Sequence, residues 1–128
     1  MTVAFEVRRN QSIPLSTYPR VFNVSDTTWL IGDSTRFAIR GGTAEQGVLV
    51  KSAPGAIETV VYRIKGDQIT VRCGSASASI TRTGAIFPNS AVTNIGSGQA
   101  GTQNLFGHVR NLRVWRRALT DDQMKAIA

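Results

Sequence analysis

Cysteine occurs once, at Cys73, and histidine once, at His108. One cysteine excludes an internal disulfide, and neither residue has the close Cys or His neighbours that a transition-metal site needs. Cys73 follows Val71 in an alternating stretch and reads as a small half-buried residue, not a nucleophile. His108 stands beside Gly107, where a surface or hydrogen-bonding role is the ordinary reading. No apolar run approaches the roughly twenty residues of a membrane-spanning helix, so no membrane insertion is expected. The opening residues, Met1 to Arg9, lack the basic-then-apolar order of a secretory signal.

Carboxylates are scarce as well. Eight Asp and Glu stand against 15 Lys and Arg, giving a formal charge of +7. A glycosidase needs two facing carboxylates, yet Glu6, Glu45 and Glu58 lie far apart and no Glu-x-Asp-x-x-Glu pattern occurs. Asp26, Asp33 and Asp67 sit in turn-like stretches, where Asp is common for conformational reasons. No cofactor is expected, with calcium left open, since its sites use clustered Asp, Asn and backbone oxygens. Gly96, Gly98 and Gly101 form a glycine-dense stretch without the Gly-Lys-Ser/Thr ending of a phosphate loop.

What is present points to strands. The 128 residues, 41% of them hydrophobic, suit one domain spanning 1–128 with one core. Val3, Phe5 and Val7 alternate with Ala4, Glu6 and Arg8, as in a half-buried strand. Short strands are expected at 21–24, 29–31, 36–40 and 48–50, with a loop over 10–19. Ile57 to Ile64 and Ile69 to Cys73, joined by Lys65-Gly66-Asp67-Gln68, predict a hairpin. Ser75 to Thr83 alternates small and polar residues and reads as an edge strand. Residues 84–104 read mostly as loop, with a short element at 92–95.

Val109, Leu112 and Val114 are spaced by 3 and then 2, which a regular strand does not produce. A β-bulge near Arg110-Asn111 does; an amphipathic helix is the rival reading. Farther on, Thr120 and Gln123 have capping-box spacing, and Leu119 and Met124 that of a hydrophobic staple. A helix over about 121–127 follows, with Asp121 and Asp122 in its first turn. So short a helix is stable only when docked, which suggests that the chain is built to end there.

The run from Leu105 to Met124 resembles the closing segment of laminin G-like, concanavalin A-like jelly rolls, particularly those in bacteriophage and prophage structural proteins. There a glycine-initiated strand with apolar positions like Val109, Leu112, Val114 and Trp115 runs into an Arg-Ala-Leu-Thr turn and a short helix. The central hairpin, Ile95-Gly96 and the strand from Val3 to Val7 match more loosely. The resemblance implies an all-β, antiparallel jelly-roll β-sandwich with a short C-terminal α-helix. It also implies a non-enzymatic virion protein made in the host cytoplasm. Such a protein would assemble with other virion proteins or with itself and reach a host surface glycan, without specific nucleic-acid recognition. A stand-alone lectin-like module is the alternative, and a glycan-cleaving enzyme or a domain from a longer chain are further ones.

Candidate ligand contacts are Trp29, Tyr62 and Arg36, the aromatics competing with core packing. Arg110 and Arg113 flank Leu112, and with Arg116 and Arg117 they form the densest positive patch, suited to a partner protein, an acidic glycan or virion nucleic acid.

Overall fold

A computed structural model of the chain describes residues 1–9, 20–25, 28–32, 37–41, 44–46, 55–81, 94–96, 105 and 107–128. Ten strands and one helix lie among them: β1 (Thr2–Arg9), β2 (Arg20–Ser25), β3 (Thr28–Gly32), β4 (Phe37–Gly41), β5 (Ala44–Gln46), β6 (Ile57–Lys65), β7 (Gln68–Cys73), β8 (Ala76–Thr81), β9 (Asn94–Ile95), β10 (Gly107–Trp115) and α1 (Asp121–Lys125). The expected strand at 48–50 and the loop at 10–19 lie outside the described residues.

The strands that position the candidate site form an open antiparallel sheet in the order β10-β1-β6-β7-β8. β6, β7 and β8 follow one another through two-residue turns, with Lys65 paired to Gln68 and Cys73 to Ala76. Gly66 and Gly74 open these turns at φ +55° and +56°, a region that suits glycine and matches the right-handed twist of the strands. A further five strands pair antiparallel in the order β5-β4-β3-β2-β9, among which β2 carries two register shifts.

One face of the first sheet carries the larger core. Val3, Phe5 and Val7 on β1 meet Val60 and Tyr62 on β6, Ile69 and Val71 on β7, and Leu105. Burying each of the larger side chains favours folding by about 1.5–3 kcal/mol. Phe5 and Tyr62 stack with ring centres 5.8 Å apart.

The opposite face takes the C-terminal segment. Ala4 and Val61 pack against Leu119 and Met124, with Trp115 and Ile127 at the margin. β6 is thus buried from both sides, which is why Val60, Val61, Tyr62 and Arg63 form a continuous buried run instead of alternating.

Two side chains of the sheet seat this segment. The Thr2 hydroxyl accepts from the Leu119 amide at 3.0 Å and donates to the Arg117 carbonyl at 3.2 Å. Arg63 donates from Nη1 to the Leu119 carbonyl at 3.2 Å and to Asp121 at 2.6 Å, and from Nη2 to Thr70 at 3.2 Å. Arg63 Nε is a buried donor without a partner, a local cost that these bonds offset. Thr120 then caps α1: its hydroxyl accepts from the Gln123 amide, and the Gln123 side chain accepts from the Thr120 amide.

The closed jelly-roll sandwich expected from the C-terminal run is not what forms. The sheet is open and uncurled, with β10 and β8 as its edges among the described residues, and the helix lies on one face of it. The physical reason lies in the motif itself. Leu112 and Val114, core positions in the resemblance, are 37% and 54% exposed on the edge strand. The remaining matched residues, from Trp115 to Met124, encode a strand end, a capped helix and its seat. Those local requirements hold in any sheet that docks a short terminal helix. The concanavalin A-like identification, and the lectin and viral structural labels attached to it, fall with the closed sandwich.

The Thr2→Val variant keeps the volume but leaves the buried Leu119 amide without its acceptor, and is expected to lose about 2 kcal/mol in chemical denaturation. Thr120→Ala should cost about 1 kcal/mol through the lost cap. An unchanged melting temperature in either variant contradicts the seating described above.

Candidate functional site

The spacing anomaly in the last strand is a bulge. Ala4 pairs with Arg113 and Glu6 with Arg110, so Asn111 and Leu112 together stand opposite Phe5. Asn111 sits at φ +54°, a left-handed conformation that asparagine tolerates better than most residues. This extra residue has a consequence for charge. Residues three apart on a regular strand point to opposite faces. Here Arg110 and Arg113 are paired with two residues that share a face, so both guanidinium groups emerge on one side.

That side is the helix-bearing face, beyond the reach of the helix. Pairing places His108 beside Arg8 at one end of it, and Arg72 on β7 in the row that runs through Val61 and Ala4 to Arg113. Glu6 is the carboxylate in the middle. Its Oε1 accepts from the Asn111 amide group at 2.6 Å, and its Oε2 from Arg110 Nε at 2.7 Å. The hydrogen bond from Asn111, then that from Arg110, hold the Glu6 carboxyl below its usual range, against an opposing effect of desolvation. The charges of Arg110 and Arg113 pull in the same downward direction.

Other guanidinium groups are aimed by weaker contacts. Arg113 lies 5.7 Å from the centre of the Trp115 ring, within cation–π range. Arg8 donates to the Gly55 carbonyl at 3.1 Å. A shallow hollow of about 390 Å³ opens between Glu6, Arg8, Ile57, His108 and Arg110. A second, of about 480 Å³, lies against Glu6, Asn111, Leu112 and Arg113. Arg116 and Arg117 follow at the strand end, both exposed. The described side chains of this face are predominantly cationic, which favours an anionic neighbour.

The remaining candidates separate. Tyr62 is 2% exposed and stacked on Phe5, so its ring belongs to the core and offers no sugar platform. Trp29 lies in β3, opposite Arg40, with its side chain outside the description, and Arg36 falls outside the described residues. Glu6 and Glu58 sit at adjacent register positions, against Thr59 and Val7 respectively, and therefore project from opposite faces. They cannot act as a carboxylate pair. Among the described residues, no three His, Cys, Asp or Glu side chains gather as a metal site.

Sequence reasoning found the arginines but not the role of Glu6, Asn111, Arg8 or Arg72. The bulge itself was read near Arg110-Asn111, but not that Asn111 takes its left-handed position and bonds Glu6. Arg72 was not legible, since it reaches the face only through pairing across β6. No family model matches the chain, and no curated protein matches it in sequence.

Asn111→Val forces a β-branched residue into the left-handed region and is expected to destabilise the fold by about 1–2 kcal/mol. Asn111→Gly should spare the backbone while losing the bond to Glu6, and denaturation of the two variants separates these effects. Because the folded pKa of Glu6 is depressed, its contribution is present above the pKa of a free glutamate and lost as pH falls through the folded value. Melting temperature against pH should therefore fall on the acid side, and Glu6→Gln should flatten that limb. An identical acid limb in the variant contradicts the assignment.

Proposed function

We propose that this chain is a non-catalytic attachment module, held to an anionic partner through the basic face and edge formed by β1 and β10. One observation carries the reading: the bulge turns Arg110 and Arg113 to the same side, next to Arg8 and His108. Among the described residues Glu6 is the only carboxylate of this group, and its two oxygens already accept from Arg110 and Asn111. The net charge of +7 reinforces the preference and speeds encounter with acidic surfaces.

Assembly with a larger partner, expected from the sequence, remains part of this reading. Its setting in a virus particle rested on the jelly-roll likeness and loses that support with the open sheet. Attachment through the basic edge needs no particular fold family. Burial of Tyr62 removes that one ring as a sugar platform.

Binding of the full chain to poly-glutamate, followed by fluorescence anisotropy at increasing salt, tests the reading. Arg113→Glu should weaken binding roughly tenfold, and added salt should weaken it further. Lys65→Glu changes the net charge equally at the exposed end of β6, away from the site, and should have little effect. Equal losses in both variants mean that net charge alone is sensed and the localised site is absent.

A further inference from the structure

Among the described residues, β10 pairs only with β1, so one of its two sides is an outer edge. Every second residue on such an edge directs its amide and carbonyl away from the sheet. Edges are commonly protected by charge and by bulges, and this one has both. Protection alone does not explain the apolar surface that remains: Leu112 is 37% and Val114 is 54% exposed. Val114 pairs with the core residue Val3, and Arg113 with Ala4 under the helix side. An added strand would therefore meet an apolar side chain on one face and a guanidinium on the other, at consecutive positions.

We propose that the partner is an extended acidic segment of another protein, whose residues alternate between acidic and apolar and which adds to β10 as a sixth strand. This rests on the attachment reading above and gives it an occupant. Its apolar residues would cover Val114 and Leu112, and its carboxylates would meet Arg113 and Arg110. Backbone pairing supplies affinity, and the alternation supplies specificity. Charge selects against a second copy of this chain. Self-pairing would bring together two strands that each carry Arg110 and Arg113 and run into Arg116 and Arg117, and like charges across a strand pair are destabilising. A nucleic acid would satisfy the arginines but leave Leu112, Val114 and the strand backbone unused.

The full chain is titrated with a short peptide of alternating Glu and Val, followed by amide chemical shifts. The comparison ligands are the same peptide N-methylated at alternate amides, and a thymidine oligonucleotide. Strand addition predicts shift changes along 112–115, and affinity reduced roughly tenfold by N-methylation. Equal binding of the methylated peptide, or tighter binding of the oligonucleotide, overturns the strand and leaves the basic edge standing. If neither peptide nor the oligonucleotide binds, and poly-glutamate is indifferent to Arg113→Glu, both readings fall.

Discussion

The backbone of Leu119 is held by the sheet on both sides of its Cα. Its amide donates to Thr2 on β1 and its carbonyl accepts from Arg63 on β6. The rest of this sheet's second face depends on that grip. A helix of five residues has too few hydrogen bonds to persist alone in water, so its order is borrowed from the seat. The same grip brings Leu119 and Met124 onto Ala4 and Val61. A buried charged residue is normally costly, and Arg63 is tolerated because three oxygen acceptors surround it.

Where the helix stops, the face changes character. Next to the seat it is apolar and closed; toward Glu6 and Arg8 it becomes basic and open. The bulge controls this change. Without the extra residue, Arg110 and Arg113 would project to opposite faces, and the core side would have to accommodate a guanidinium. With it, Val109 packs at the margin of the core while both arginines lie outside. Glu6 limits the mutual repulsion of the group, and its bonds to Asn111 and Arg110 hold the bulge in its conformation.

Much of the local structure was legible in the chain. The alternation of Val3, Phe5 and Val7, the hairpin at Gly66-Asp67, the spacing break after Val109 and the Thr120–Gln123 pair all correspond to structure at those positions. These signals are local, because each reflects a backbone preference or a neighbour within a few residues. The jelly-roll expectation erred for the same reason: a strand, bulge and capped helix can be recognised locally, but whether a sheet closes depends on partners far away in sequence.

The sequence by itself determined where most of the described strands run, though not the short β5, where the last one bulges, and that a capped helix follows it. Alternation, left-handed turn positions and cap chemistry act over a few residues, so order along the chain suffices. Tertiary structure alone decided that Tyr62 is core, that Thr2 and Arg63 hold the C-terminal segment, and that Arg8, Arg72, Arg110 and Arg113 share a face with Glu6. Those outcomes depend on which strands pair and in which register. Pairing joins residues as far apart as Glu6 and Arg110, and no short-range pattern encodes it.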